Sequence, residues 1–152
     1  VKSILKLKIT KMESPEITKI TVEVDINASV ELVWACFNTS EHVVKWNAAS
    51  DDWHTPKASI DLRVGGQFNN RMEAKDGSFG FDFIGIYSEV IENQKISYAI
   101  EDGRTVDIFF EVNDSGTHLK EIFVAETENS VELQKEGWQA ILDNFKKYVE
   151  NL

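Results

Sequence analysis

The chain has 152 residues and a net charge of −10, which suits one domain and excludes the basic stripe that a nucleic-acid backbone requires. The same charge disfavours anionic membrane surfaces, and no apolar run approaches the ~20 residues of a membrane span. A lone cysteine, Cys36, excludes an intrachain disulfide and fits a reducing compartment, so a cytoplasmic location is expected.

The opening VKSILKLKITK carries Lys2, Lys6, Lys8 and Lys11 and lacks the apolar stretch and cleavage site of a signal peptide. The first methionine is Met12. Residues 1–15 are read as an N-terminal extension, non-native or flexible, and residues 16–152 as one domain. Residues 16–26 alternate, with Thr18, Ile20, Val22, Val24 and Ile26 on one face, which predicts a half-buried strand. Ser29 then caps a short helix in which Val30, Val33, Trp34 and Phe37 recur at helical spacing, with Glu31 in its first turn. A second short helix follows, capped by Thr39 or Ser40, with Val43, Val44 and Trp46 inward.

From Asp51 the pattern changes to strands. ASIDLRV sets Ile60, Leu62 and Val64 together, and Gly65-Gly66 marks a sharp corner. QFNNRME resumes with Phe68, Asn70 and Met72 in phase, and Asp76-Gly77 signals a hairpin. FGFDFIGIYSEVI is apolar on both phases, so its inward face is left open. KISYAI, TVDIFFEV and THLKEIFVAE complete the strands, separated by Asp102-Gly103 and Asp114-Ser115-Gly116. The last segment carries a sustained helical stripe of Trp138, Ile141, Leu142, Phe145, Tyr148, Val149 and Leu152. Asn129 and Glu132 have capping-box spacing, which predicts a helix over roughly 129–151. The expected architecture is α+β. A curved antiparallel sheet of about seven strands buries one face under a long C-terminal helix, and two short helices follow the first strand.

The strand ITVEVDINAS leading into VELVWACF, Trp46, DLRVGGQF, FIGIYSEVIEN followed by KISY, the GTHL segment and EGWQAILDNF together carry a resemblance. In order and spacing the chain resembles the activator-of-heat-shock-protein-90-ATPase-like family. That family lies within the START, Bet v 1-like and polyketide-cyclase superfamily of helix-grip folds. Where many members have proline, this chain has Ala28 and, after the long fourth strand, Glu92 and Asn93. The resemblance implies a deep cavity between sheet and helix. It does not imply one chemistry, because fold and function are separable.

The residues expected to line that cavity are Trp46, Trp53, His54, Phe68, Asn70, Tyr98, Phe110, Trp138 and Leu142. The aromatics divide between ordinary core and pocket wall. Asn70 shares the phase of Phe68 and Met72, so its amide is placed inward, where it needs a partner. Trp53 and His54 are placed in a loop overhanging the cavity mouth. Arg71, out of phase with Phe68, is read as a wet-face residue. Cys36 reads as a buried small hydrophobe. Asp51, Asp52 and His54 offer metal-type ligands without a second histidine nearby, and no metal or cofactor is expected. No catalytic residue is assigned.

The expected function is binding of a lipid-like or aromatic small molecule between sheet and helix. One alternative is a protein-interaction or chaperone-associated module with a protein partner. Another is a cofactor-free acid–base enzyme using His54 or Tyr98 with Asn70.

Overall fold

A computed structural model describes residues 17–152. The N-terminal extension and its lysines lie outside the described residues. The element order is β1 (Lys19–Ile26), α1 (Val30–Asn38), α2 (Ser40–Trp46), β2 (Trp53–Ile60), β3 (Gln67–Ala74), β4 (Gly80–Ile91), β5 (Lys95–Ile100), β6 (Thr105–Asn113), β7 (Gly116–Val124) and α3 (Val131–Glu150). The strands form one curled sheet in the order β1-β7-β6-β5-β4-β3-β2, antiparallel throughout. Consecutive hairpins build β2 to β7, and β1 closes onto β7. This is the α+β helix-grip architecture that the sequence predicts.

Each helix starts on a serine whose hydroxyl accepts an otherwise orphan backbone N–H, except α2. Ser29 accepts from Leu32 N at 3.3 Å, and Ser130 accepts from Leu133 N at 3.1 Å. The cap of α3 is therefore Ser130, one residue beyond the Asn129 that the capping-box spacing selects. Gln134 explains the shift. Its side chain accepts from Glu126 N and donates to the carbonyls of Glu126 and Asn129, which holds the preceding loop against the first turn.

Strand β2 begins earlier than its hydrophobic alternation indicates. Pro56 lacks an N–H, which sets it on an edge strand, and the β2–β3 register shifts between His54 and Lys57. Leu62 and Val64 lie past the strand in a turn where Gly65 adopts φ +82°. The open question of β4 is settled by a bulge between Tyr87 and Glu89. Phe81, Phe83, Gly85 and Tyr87 share the inner phase, and after the extra residue Val90 pairs with the buried Ile96.

The core sits between the inner face of β1, β7 and β6 and the C-terminal half of α3. Leu142, Phe145 and Val149 are buried there, against Trp46 and Phe37. Polar ties fix this half of the helix. Asn144 Nδ2 donates to Trp46 O at 2.7 Å, and Asn27 N donates to the Glu150 carboxylate at 2.8 Å. Gln139 bridges the backbone N–H and C=O of Glu23 on the exposed edge of β1. None of the first seven residues of α3 is buried. The helix is thus clamped at one end and stands off the sheet at the other.

The outer face mixes charged groups with apolar ones such as the exposed Ile86. Arg71 pairs with Glu73 at 2.9 Å and reaches Asp82 at 3.6 Å, on the wet side that its strand phase predicts. His118 is held between Glu23 and Asp25, each at 2.8 Å, and these carboxylates raise its affinity for a proton.

Candidate ligand cavity

Where α3 lifts away, the sheet and helix enclose a cavity of about 440 Å³. That volume falls within the ~300–1,000 Å³ typical of small-molecule sites. Its floor is the inner face of β3 to β5, with Phe68, Asn70, Phe83 and Tyr98. Its roof is Trp138, Ile141 and Leu142 of α3, and its inner end is closed by Phe37, Val43 and Trp46 of α1 and α2. A polar rim of Arg104, Glu126, Asn129 and Gln134 borders it at the β5–β6 turn and the loop entering α3.

Local sequence explains the floor. A Cβ added to Gly85 would stand 2.6 Å from Phe68 Cζ and 2.9 Å from Tyr98 Cδ2. Only glycine lets those two rings meet over the β4 backbone, edge to face with centroids 4.8 Å apart. In the roof, Trp138 lies flat on Phe123, with centroids 3.9 Å apart and an interplanar angle of 11°. At the inner end Trp46 is fixed by its indole N–H, which donates to Cys36 O at 3.0 Å. The walls are therefore rigid rings in defined orientations.

Six of the nine residues singled out in the sequence converge on this cavity: Trp46, Phe68, Asn70, Tyr98, Trp138 and Leu142. Trp53, His54 and Phe110 do not line it. Phe110 points inward from β6 but lies beneath α1, where Trp34 at 4.9 Å and Phe37 at 5.7 Å fill the space. Trp53 belongs to β2, not to an overhanging loop, and packs edge-on against Phe79 and Phe81 at the end of the sheet. It reaches the cavity only through Phe81. His54 faces the outer surface, 3.9 Å from Glu73. His54 and Tyr98 lie on opposite faces of the sheet, so they cannot act on one substrate.

Two polar groups inside the cavity matter chemically. Asn70 Oδ1 is buried without a hydrogen-bond partner among the described residues. A buried acceptor left unpaired is costly, and a ligand donor would relieve it. The second group, Glu121, was missed in the sequence. It sits on the inward phase of β7 between Leu119 and Phe123, opposite Val22 on β1 and Ile108 on β6. It is 7 % exposed, and burial alone pushes its carboxyl up to about 8, with no hydrogen bond or charge offsetting the loss of water. The Tyr98 phenol is raised by its own burial and further by Glu121 and Tyr87. The sequence signal was available: in THLKEIFV, Glu121 occupies the apolar phase of an alternating strand.

Among the described residues no cluster of His, Cys, Asp or Glu could hold a metal ion, and no helix is long and apolar enough to cross a membrane. Cys36 is fully buried, which raises its thiol above the ordinary value.

A curled seven-stranded sheet gripping a C-terminal helix over an internal cavity defines a helix-grip domain of the START-like superfamily. Residues 27–150 match the family model described as Activator of Hsp90 ATPase homolog 1-like protein, and the chain belongs to that family. It is similar to the solution structure of an AHSA1-like protein from Aeromonas hydrophila, with 46 % identity and a TM-score of 0.83 over 88 % of this chain and 93 % of that one. It is also similar to a Cytophaga hutchinsonii protein, with 50 % identity and a TM-score of 0.77 over 88 % and 92 % of the two chains. A Nitrosomonas europaea protein shares 20 % identity and a TM-score of 0.76 over 91 % and 97 %, a likeness of fold alone. No curated protein matches at a significant level.

Proposed function

We propose that this domain binds a small, mostly apolar molecule in the cavity between the sheet and the N-terminal half of α3. The observation that carries this reading is a space of about 440 Å³ that the rings lining it leave open, because the N-terminal half of α3 stands off the sheet. Protein interiors are otherwise close-packed, with few voids larger than a water molecule. An apolar ligand would restore the lost contacts and cover the rings of Phe68, Tyr98 and Trp138.

Titration with Nile red, an uncharged apolar fluorophore, tests the reading. Saturable enhancement of its emission is expected, together with a rise in melting temperature that reaches about 2.7 kcal/mol of stabilisation at ~100 times the dissociation constant. Ile141→Trp, which pushes an indole into the roof, should weaken binding about tenfold or more by filling the space. Phe79→Ser, on the exposed ring beside Trp53, should leave binding unchanged. Equal binding by wild type and Ile141→Trp, or loss in Phe79→Ser, would place the dye on the surface and contradict the reading.

A further inference from the structure

We propose that Glu121 is the hydrogen-bonding anchor of this cavity, and that it selects uncharged apolar molecules bearing a carbonyl oxygen over the corresponding carboxylates. The inference rests on the cavity-binding reading and adds the chemical class of the ligand. Its basis is placement. Glu121 is the acidic side chain on the inner face of the sheet, and it lines the cavity with more than nine-tenths of its surface buried. Its cross-strand neighbours Val22 and Ile108 are apolar and almost fully buried, so neither satisfies its oxygens.

The surroundings add no positive charge at that depth. From β5 the titratable group facing it is the phenol of Tyr98, and the Tyr87 phenol of β4 lines the same cavity. From α3 the roof presents Trp138 and Leu142, and α1 and α2 present Phe37, Val43, Trp46 and the uncharged amide of Asn38, which donates to Trp34 O. The charged groups lie at the rim. Arg104 there is turned to Asp102, with Nε 2.6 Å from Oδ2, and Glu126 is a second carboxylate. A carboxylate ligand would therefore meet like charge at the entrance and an acid within, inside a chain whose net charge is −10.

Burial keeps the Glu121 carboxyl protonated up to about pH 8. In that form it carries one O–H donor, and an acceptor oxygen on the ligand is its complement. A carbonyl oxygen fits, since it accepts one hydrogen bond without bringing a charge that must be desolvated. Once ionised, the side chain has only acceptors and repels the same oxygen.

Three probes of one shape test the anchor: 2-acetylnaphthalene, 2-ethylnaphthalene and 2-naphthoate. At about pH 6 the ketone should bind roughly fivefold more tightly than the hydrocarbon and at least about tenfold more tightly than the carboxylate. Its affinity should fall several-fold as the pH rises through about 8. Glu121→Gln, which keeps a neutral donor, should retain the preference for the ketone and abolish that pH dependence. Glu121→Leu should bind ketone and hydrocarbon alike, with folding of both variants confirmed by melting. If ketone and hydrocarbon bind equally to the wild type, or if the pH dependence survives in Glu121→Gln, the anchor is refuted while cavity binding stands. If 2-naphthoate binds as tightly as the ketone, the selectivity is refuted. If none of the three binds, the cavity-binding reading and the anchor fall together.

Discussion

Glu121→Leu is expected to stabilise the protein, and to do so more strongly as the pH rises. In the native state burial holds the carboxyl proton up to about pH 8, whereas the unfolded chain releases it near the ordinary value of 4.5. Between those values the unfolded state binds fewer protons than the native state. Raising the pH therefore favours unfolding, by about 1.4 kcal/mol per unit. The accumulated penalty begins above 4.5 and is complete above about 8, where it amounts to roughly 3–5 kcal/mol. Water reaching the cavity reduces it toward the lower end. Leucine has no charge to desolvate and matches the neighbouring Leu119 and Phe123. Denaturant melts at about pH 5 and about pH 9 should show a small difference between variant and wild type at the first and a gain of several kcal/mol at the second. A difference of equal size at both values would mean that the Glu121 carboxyl titrates near its ordinary value in the native state and is not desolvated. A residue that costs stability and lines the cavity is what a functional position looks like, because function and stability there pull apart.

The second large effect separates the two halves of α3. Phe145 is fully buried, edge-on to Trp46 at 4.7 Å and to Phe37 at 5.4 Å. Phe145→Ala should cost roughly 3–5 kcal/mol, the usual range for emptying a packed aromatic site. Trp138 has the larger ring but is only half-buried, with one face on Phe123 and the rest over the cavity. Trp138→Ala should cost about 2 kcal/mol, the sum of partial burial and one stacked pair. The same substitution should weaken Nile red binding about tenfold, since it removes part of the roof. Thermal or denaturant unfolding with dye titration distinguishes the roles. A Trp138→Ala loss equal to that of Phe145→Ala would mean that the N-terminal half of the helix is packed as firmly as the C-terminal half, leaving no cavity.

The same contrast explains what could be read from the sequence. The strand count, the two short helices and the long stripe were legible because each rests on local periodicity. Of the interior positions that this periodicity marks, Ile20, Val22, Trp34, Ile96, Val106, Ile108, Leu142 and Phe145 are buried. What escaped depends on events that periodicity does not record. The bulge between Tyr87 and Glu89 reverses the phase of β4 partway along it. The register shift at Pro56 brings Trp53 and His54 into β2, so the pair cannot overhang a mouth. Gly85 has no side chain to mark its phase in the strand, yet its effect is to let Phe68 and Tyr98 close over it. Glu121 escaped because a charged residue in a strand is ordinarily assigned to the wet face. The cavity itself depends on where α3 leaves the sheet, and that is set by Asn144, Gln139 and Glu150, three polar residues outside the apolar stripe.

The most direct measurement is a methyl NMR titration of the isoleucines with 2-acetylnaphthalene. Ile60, Ile96, Ile100 and Ile141 line the cavity, Ile20 and Ile26 lie in the filled core, and Ile86 and Ile91 are exposed. Saturable shifts of the first four methyl groups on one binding curve are expected, with Ile20, Ile26, Ile86 and Ile91 essentially unmoved. Shifts confined to Ile86 and Ile91, or none at ligand saturation of solubility, would contradict it.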